Sequence, residues 1–592
     1  MDRDGSGLTG STRQTEIAPP AAAPTWVEAA RRREAWARAG RRLGLGGLAV
    51  VPLAFLGLFF AWPVATLVGR GFLGDGAAGG GLDFSEFGAL LAQARTWRLI
   101  ARTLGQAVVA TALVGAAAVP LAHVLYKRSF PGRGLVRVLI TAPFALPAVV
   151  VGLAFRSLLG RGGPLAFLGL DSSFAAVVAA LAFFNLGLMV RIVGTFWQAL
   201  DPRPEQAARV LGAGPFRSLL WVSLPAITPA LAAGGAMVFL FCTTAFSTVL
   251  ILGGVGYGTI ETEIWRQTTQ MLNLRAAAVL SVLQIVVVVG GLALAGAARR
   301  RRERALKLTG AGRATATAAP PLSREDWPPV VVTLVAVAAV LTPLVTLAWR
   351  SLRTASGLGL DNYRALATSR LSGLPYSVLT AAFTSVKIAL VATAVAMALG
   401  IAISVVLSRR PTGPWARRTQ GLLDSVFMAP LGVSAVTVGF GFLITLDHPP
   451  VNLRTSFWLI PLAQALVALP MVMRSMLPVL RAIDPRQRQA AQVLGASPLR
   501  VFATVDAHVM ARPAAVGAAY AFAVSLGEFG ATSFLARPDT TTLPVAIYRL
   551  IGRPGIANLG AALAAAVLLA AVTCGIMAVA ELARGSKEGG EL

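Results

Sequence analysis

The hydrophobic positions of the chain fall into twelve long runs separated by short polar or basic segments. Each run has about 20 or more residues, the length that a helix needs to cross the hydrocarbon core of a bilayer. In the first half the runs cover 45–67, 103–126, 135–159, 175–198, 226–252 and 276–298. In the second half they cover 329–350, 379–408, 420–446, 455–478, 513–536 and 558–581. The pattern predicts an all-α polytopic membrane protein with about twelve transmembrane helices.

Composition and charge distribution agree with this prediction. The chain is 56% hydrophobic and 13% charged, and its net charge is +27. A soluble protein this basic would suggest nucleic-acid binding, but here the basic clusters adjoin apolar runs, at 31–42, 127–137, 299–307 and 409–418. A cytoplasmic N-terminus and strict alternation place all four clusters on one side, as the positive-inside rule requires. We therefore expect a multi-pass protein with both termini in the cytoplasm and no nucleic-acid partner.

The two halves of the chain repeat each other, which predicts the domain organisation. The segment 142–155 parallels 429–442, and 259–266 parallels 542–549. The predicted division is a basic, disordered tail 1–43, a first module 44–298 with its core at 99–298, a basic linker 299–327, a second module 328–583 with its core at 378–581, and a tail 584–592. Because the repeated unit has an even number of spans, both copies share one orientation about an axis along the membrane normal. Substrate should then pass between the modules.

A polar segment recurs at one fixed position in both halves and predicts a surface for a soluble partner. It reads QALDPRPEQAARVLGAGPFR at 198–217 and RAIDPRQRQAAQVLGASPLR at 481–500. In each copy Asp-Pro favours a helix start, and a Gly ends that helix and lets the chain turn into a second helical stretch. The predicted topology places both copies in the cytoplasm. A helix resting on the membrane interface is the structural alternative, but the duplication favours two docking surfaces.

The repeated segment resembles the cytoplasmic coupling loop of ABC importer permeases, written Glu-Ala-Ala, three residues, Gly, nine residues, Ile-x-Leu-Pro. The matching residues are Gln206, Ala207, Ala208, Gly212, Leu224 and Pro225 in the first copy, and Gln489, Ala490, Ala491 and Gly495 in the second. Both copies carry Gln where the motif has Glu, and the second has Ala507-His508 in place of Leu-Pro. The resemblance implies a type I ABC importer permease fold of two parallel six-helix repeats.

The resemblance also implies the partners of the chain. Two copies of an ABC ATPase subunit would each hold one loop, an extracytoplasmic binding protein would deliver substrate, and the chain would lie in the lipid bilayer of a bacterial cytoplasmic membrane. ATP and Mg would be used by the ATPase, with no cofactor bound by this chain. A phosphate-binding P-loop needs Gly-Lys followed by Ser or Thr, and the four lysines follow Tyr, Leu, Val and Ser. ATP hydrolysis is therefore expected on a separate chain, and this chain is expected to be a transport subunit rather than an enzyme.

A second informative stretch is Ser525-Leu-Gly-Glu-Phe-Gly-Ala-Thr532, which places an ionisable residue inside a predicted span. The repeat aligns Phe529 with Phe246 and Glu528 with Ala245, so only the second half has the carboxylate. An ionisable residue at this depth is a functional candidate, and the alternative is an interhelical hydrogen bond with close packing at the glycines. The translocation-path candidates are Glu528, Gly527, Phe529, Gly530 and Phe246. The stretch resembles permeases for ferric iron, thiamine, sulfate, molybdate and polyamines, and the fused form is most similar to the iron(III) and thiamine branch.

Other classes of protein are weighed against this interpretation. An ion-coupled secondary transporter also uses internal repeats and midplane carboxylates, but it has no need of the repeated cytoplasmic segments. A membrane-embedded enzyme would need several titratable residues that converge at one depth, and the sequence shows no such group around Glu528. The three histidines are scattered, and both cysteines lie in apolar stretches, so no metal site is predicted. The segment 250–254 followed by 259–264 resembles the thiamine permeases slightly more than the iron permeases.

Overall fold

The computed structural model describes residues 47–72, 83–254, 256–306, 319–354, 357–368, 375–409, 413–448 and 451–585. The helices of the first module are α1 (Gly47–Phe72), α2 (Ser85–Leu91), α3 (Ala94–Lys127), α4 (Arg133–Thr141), α5 (Ala148–Leu159), α6 (Phe174–Gln198), α7 (Arg203–Val210), α8 (Pro215–Thr243), α9 (Ser247–Leu252), α10 (Ile260–Thr269) and α11 (Leu274–Leu306). Those of the second are α12 (Arg324–Ser351), α13 (Asp361–Arg364), α14 (Val378–Ser408), α15 (Pro414–Met428), α16 (Ala435–Thr445), α17 (Leu459–Ala482), α18 (Pro485–Val493), α19 (Leu499–Gly527), α20 (Thr532–Leu535), α21 (Leu543–Ile551) and α22 (Ile556–Gly585).

Among the described residues, the strands form two short hairpins. The strand β1 (Arg353–Thr354) pairs antiparallel with β2 (Gly357–Leu358), and β3 (Asp447–His448) pairs antiparallel with β4 (Val451–Asn452). Each hairpin follows a helix that is apolar enough to lie in a membrane, so it does not contribute to the buried core.

The structure confirms the predicted fold class. Ten helices among the described residues are long and apolar enough to cross a membrane, and two further bent pairs raise the number to twelve if each pair is one span. Every one of the twelve predicted apolar runs coincides with one of these helices or pairs. Most bounds shift by a few residues, but α3 begins at Ala94 rather than at 103, and α8 and α19 begin and end well before the predicted runs 226–252 and 513–536. The protein is therefore all-α and spans the membrane many times.

Two of the predicted spans are pairs of helices joined by a sharp bend. The segments Arg133–Ala145 and Ala148–Leu159 meet at 105°, and Arg417–Gly432 and Ala435–Thr445 meet at 94°. In the first pair Pro147 forces the preceding residue out of the helical region, and Leu146 is extended with ψ 142°. In the second pair Ser434 starts a new helix by accepting a hydrogen bond from the Thr437 amide. Hydrophobicity is continuous through both bends, so it could not reveal them.

The linker predicted at 299–327 is partly helical. Helix α11 continues to Leu306, and α12 begins with a 3₁₀ turn at Arg324–Asp326. Residues 307–318, the N-terminal tail 1–43 and residues 586–592 lie outside the described residues. The end of the linker is held by the first module, because Asp326 Oδ1 accepts a hydrogen bond from Arg128 Nε at 3.0 Å and lies 2.9 Å from His123 Nε2.

The first helix of each module packs on the other module. Phe55 and Leu56 of α1 share a buried apolar cluster with Phe442 and other residues of the second module. Val340 of α12 lies in the cluster built around Leu121 of the first module. Helices in a membrane associate through close packing rather than through exclusion of water. The exchange of these two helices therefore joins the modules around a shared central interface.

Small residues allow the helices of each module to approach closely. A Cβ added at Gly400 of α14 would lie 2.5 Å from Val472 Cγ1 of α17, and one added at Gly187 of α6 would lie 2.5 Å from the Ile140 carbonyl oxygen. These distances are too short for any larger side chain. Close packing of small residues is the usual means of stabilising helix pairs in a bilayer, so α14 packs tightly on α17, and α4 packs tightly on α6.

Candidate coupling surface and translocation path

The repeated polar segment folds in both modules as a short helix that protrudes between two long ones. In the first copy Asp201 Oδ1 accepts a hydrogen bond from the Arg203 amide at 3.0 Å, and in the second Asp484 Oδ1 accepts one from the Arg486 amide at 2.9 Å. These bonds satisfy amides at the starts of α7 and α18. We call the segments 201–217 and 484–500 the first and second coupling loops.

Glycine ends the short helix in both coupling loops. Gly212 has φ +88° and Gly495 has φ +81°, a left-handed conformation that glycine adopts without the steric cost other residues incur. Each follows its helix by two residues, where such a cap lets the chain reverse. The next helix then starts at Pro215 in the first loop and leads into α19 in the second. The predicted helix–turn–helix shape is present in both modules.

The motif residues occupy equivalent places in the two loops. Gln206 and Ala207 of α7 are exposed, as are Gln489 and Ala490 of α18, while Ala208 and Ala491 are half-buried. Leu224 and Pro225 lie further along α8, just after a π-helical turn at Leu219–Ser223. The second module has the same turn at Phe502–Asp506 although it lacks the Leu-Pro sequence. The turn therefore does not depend on the proline.

Each coupling loop presents an apolar tip that sequence analysis did not single out. Val210 and Leu211 are each 87% exposed, and their counterparts Val493 and Leu494 are 87% and 88% exposed. Large apolar side chains exposed on a polar loop outside the spans are typical of an interaction surface. The sequence signal was available, because Val-Leu precedes Gly in both copies.

A polar contact ties each coupling loop to its own module, with different charges in the two copies. In the first loop Glu205 accepts a hydrogen bond from Ser223 Oγ at 3.3 Å and lies 4.0 Å from Lys127 Nζ. The repeat places Arg488 and Asp506 at the positions of Glu205 and Ser223. In the second loop, then, the acid is on the following helix and the coupling helix carries the base.

The contact in the second loop is the tighter of the two. Asp506 is fully buried, and its two carboxylate oxygens accept hydrogen bonds from Arg488 Nε and Arg409 Nη2, both at 2.7 Å. Arg488 also donates to the Leu480 carbonyl at 3.1 Å. A buried carboxylate with two charged partners is costly to disturb, whereas Glu205 is partly exposed and its ion pair is long. The second coupling loop is therefore held more rigidly than the first.

At the centre of the interface four aromatic rings, two from each module, pack together. We call Phe246, Trp265, Phe529 and Tyr548 the ring cluster. Phe246 and Phe529 are equivalent in the repeat and stack on each other, with centroids 5.7 Å apart and planes 13° apart. Trp265 and Tyr548, also equivalent, meet edge-on at 5.8 Å. Both phenylalanines are buried, so at this level the two modules are in direct contact and leave no open passage between the rings.

The structure places Phe246 and Phe529 immediately after the breaks that interrupt two predicted spans. Helix α8 ends at Thr243 and α19 ends at Gly527, so the runs 226–252 and 513–536 are not continuous helices. A Cβ added at Gly527 would lie 2.9 Å from Pro147 Cβ of the first module, and one added at Gly530 would lie 2.9 Å from Ala435 Cβ. The glycines thus let the second break approach the bends of both modules.

The carboxylate of Glu528 does not lie inside a helix as the sequence suggested. Glu528 follows the last residue of α19 in an extended conformation and is buried. It accepts hydrogen bonds from the Ala531 amide at 2.7 Å, the Thr532 amide at 3.0 Å and the Thr532 hydroxyl. These donors lie at the start of α20, so in this structure the carboxylate caps the next helix. Its contact with substrate stays a prediction.

Removal of the stacked pair is expected to open a leak between the modules. The double substitution Phe246→Ala with Phe529→Ala takes away both rings that close the interface, and each truncation of a buried Phe costs about 3–5 kcal/mol of stability. We expect proteoliposomes with this variant to lose a trapped small dye faster than wild type without ATP. Phe246→Leu with Phe529→Leu is the control, since it keeps apolar bulk. If the folded Ala variant leaks dye no faster than wild type, the two rings do not close the interface between the modules.

Among the described residues, no group of three or more His, Cys, Asp or Glu side chains could hold a metal ion. Cys242 and Cys574 are free thiols and form no disulfide with each other.

Comparison with known proteins gives one family match and several similar proteins. Residues 115–302 match the family described as "Binding-protein-dependent transport system inner membrane component". The chain is 27% identical over 562 residues to "Thiamine transport system permease protein ThiP" of Brucella abortus (strain 2308), covering 93% of this chain and 98% of that protein. The protein of the same name in Escherichia coli (strain K12) is 26% identical over 478 residues, covering 77% and 84%. A solved bacterial ABC transporter for alginate import gives a TM-score of 0.40 at 18% identity, covering 45% of this chain and 99% of that one.

The matched residues contain the first coupling loop and the first half of the ring cluster, and the repeat carries both features into the second module. This is the arrangement of a permease subunit of an ABC importer, a transport subunit that forms the path across the membrane. The relatives that align along the whole length show that one polypeptide carries both halves. Residues 115–302 match the binding-protein-dependent transport family, and along both modules the chain is similar to the fused two-module relatives.

Proposed function

We propose that this chain imports thiamine or a close derivative, delivered by an extracytoplasmic binding protein and driven by two copies of a separate ATPase. The proposed ATPase partner is supported by the two equivalent coupling loops, because each presents an exposed apolar tip to which a soluble subunit could bind. The proposal on substrate is supported by the relatives from Brucella abortus and Escherichia coli, whose names describe thiamine permeases. Each aligns with both modules rather than with one.

Each coupling loop would dock on one ATPase subunit, which binds ATP and Mg. Closure of the ATPase pair on ATP would then move α7 and α18 together. Because each loop is tied to its own module, the movement would reach the long helices and separate or close the ring cluster. A ligand can shift such an equilibrium only as far as its affinities for the two states differ. ATP would favour one arrangement of the modules, and the binding protein loaded with substrate would favour the same one.

The proposed topology places both termini and both coupling loops in the cytoplasm of a cell bounded by this membrane. The basic clusters next to α3, α11 and α14 support it, because Lys and Arg near span ends favour the cytoplasmic side. A single cysteine introduced at Val210, with Cys242 and Cys574 replaced by Ser, would report on this directly. We expect an impermeant thiol reagent to label it in inverted vesicles and not in intact cells.

The substrate is tested by deleting the gene for this chain in the organism that encodes it. We expect the deletion strain to lose most uptake of labelled thiamine at nanomolar concentration and to recover it when the wild-type gene is restored. Uptake of labelled ferric iron, the other substrate that the sequence suggested, is the matched negative probe. Unchanged thiamine uptake in the deletion strain would overturn the proposed substrate, and loss of iron uptake alone would replace it.

The ATPase partner is tested by co-purification. Affinity-tagged wild-type chain should recover an ATP-hydrolysing subunit in a ratio of about two subunits to one permease. The ion-coupled secondary transporter, which the sequence left open, predicts that no ATPase is recovered and that the chain alone moves its substrate.

A further inference from the structure

Two arginines lie inside predicted membrane spans at equivalent positions of the repeat. Arg191 is in the second half of α6, and Arg474 is at the corresponding place in α17. A charged residue within a span is costly unless it faces a protein interior or a water-filled space. Both arginines satisfy that condition by reaching across the interface. Arg191 Nη1 donates to Tyr520 Oη at 3.3 Å, and Arg474 Nη2 lies 3.2 Å from Met237 Sδ.

The partners of the two arginines are themselves equivalent. Met237 of α8 and Tyr520 of α19 share one position of the repeat, so each arginine extends from one module to the same site on the other. The two guanidinium groups therefore cross the interface between the modules in opposite directions. A thioether is a weak acceptor, so Arg474 has guanidinium donors available for another acceptor in this structure.

The arginine pair lies on the coupling-loop side of the ring cluster. Tyr520 precedes the end of α19 at Gly527 by seven residues, and a helix rises 1.5 Å per residue, so the pair is about 10 Å from the break that carries Phe529. Solute that passes the ring cluster would reach this level next on its way to the cytoplasm.

The wall between the arginines and the ring cluster is aromatic on one side only. Phe241 is one helical turn beyond Met237 on α8 and so lies on the same face. Its ring centroid is 6.0 Å from that of Phe144, and Phe144 is 5.7 Å from Phe184. All three rings are half-buried. The equivalent residues of the second module are Leu431, Val467 and Val524, so at these three positions only the first module has flat rings.

We propose that Arg191 and Arg474 bind an anionic group of the translocated solute, a phosphate ester or a carboxylate, while a flat ring of the same solute packs on the aromatic wall. Guanidinium groups form strong charge-assisted hydrogen bonds with phosphate and carboxylate oxygens. Aromatic faces attract flat and cationic rings. The inference rests on the proposed function, because it specifies which forms of an organic solute such as thiamine the path accepts.

The anion site is tested first by binding, independently of transport. Calorimetric titration of the purified full chain with inorganic phosphate and with thiamine monophosphate should give heat in wild type. The double substitution Arg191→Gln with Arg474→Gln should weaken binding at least about tenfold, as expected for the loss of charge-assisted bonds. Lys387→Gln is the matched control, since Lys387 is a cation in a span that contacts Phe457 within the second module. Equal binding by wild type and the double variant, or none by wild type, would overturn the proposal.

Uptake by the complete transporter in proteoliposomes is the second test. The double Gln variant should lose at least about tenfold in uptake of thiamine monophosphate relative to thiamine. Substitution of both arginines by Lys should restore part of it. ATP hydrolysis stimulated by the binding protein should stay near the wild-type rate. Loss of both uptakes together with ATP hydrolysis would assign the arginines a structural role only and overturn the proposal. Wild type that transports neither solute but binds phosphate through the arginines would instead reject the proposed substrate.

Discussion

Leu211→Asp combined with Leu494→Asp is expected to abolish ATP-driven uptake and recovery of the ATPase. Both side chains are almost fully exposed, at 87% and 88%, so neither contributes to the packing of the permease. In a protein interface such apolar tips act as anchors, and loss of an anchor costs about 2 kcal/mol or more. That is roughly a thirtyfold loss of affinity for each loop, and a buried carboxylate adds a further desolvation cost.

The measurement is co-purification of the ATPase together with uptake in proteoliposomes. Leu211→Met with Leu494→Met is the control, because it keeps an apolar side chain of similar size and should retain both activities. Each single Asp variant should show an intermediate loss. A double Asp variant that folds, binds the ATPase and transports normally would show that the tips are not the docking surface.

Asp506→Asn is expected to destabilise the second coupling loop and to slow uptake strongly. The carboxylate is fully buried between Arg488 and Arg409, and its neutralisation leaves two guanidinium groups without their countercharge. Breaking a buried ion pair by removing one partner costs about 3–5 kcal/mol. Thermal unfolding of the purified chain and the uptake rate report the two effects.

The equivalent tie in the first module supplies the control. Glu205 is partly exposed and 4.0 Å from Lys127, so Glu205→Gln should cost less than about 1 kcal/mol. The triple substitution Arg409→Leu, Arg488→Leu and Asp506→Leu should recover most of the lost stability, since a buried ion triad can be replaced by packed apolar residues at little cost. Equal and small effects of Asp506→Asn and Glu205→Gln would contradict the unequal rigidity of the two loops.

The number and order of the spans could be predicted because the bilayer imposes a minimum length of apolar sequence. The breaks could not be predicted from that signal. Hydrophobicity is continuous from Pro143 through Pro147, and the run that contains Ser525 through Thr532 is apolar on average although it includes Glu528. The bends depend on backbone restriction before a proline and on new helix starts at Ser434 and Thr532, which are local effects that an average over a span hides.

The coupling loops could be predicted closely because their signals are local. Asp-Pro at the start of the helix and Gly two residues after its end fix the turn in each copy, and the structure shows both. The charges that tie the loops to their modules were harder to find. Arg488 and Asp506 are 18 residues apart, and Arg409 is 97 residues from Asp506, so only the tertiary structure joins them.

The central interface could be predicted only in part. Sequence analysis named Phe246 and Phe529 because the repeat aligns them, but it gave no reason to expect that the two rings stack on each other. It did not notice Arg191 and Arg474, although a charge at the same position of two apolar runs was a visible signal. Their partners lie on the other module, and contacts of that kind follow from the packing of whole modules.

The most direct test of the account is the energy source of transport by the purified proteins in liposomes. With the ATPase and the loaded binding protein present, labelled substrate should accumulate when ATP is supplied and should stop when the coupling-loop tips carry Asp. A proton or sodium gradient without ATP should drive nothing. Uptake driven by such a gradient, by this chain alone, would contradict the account.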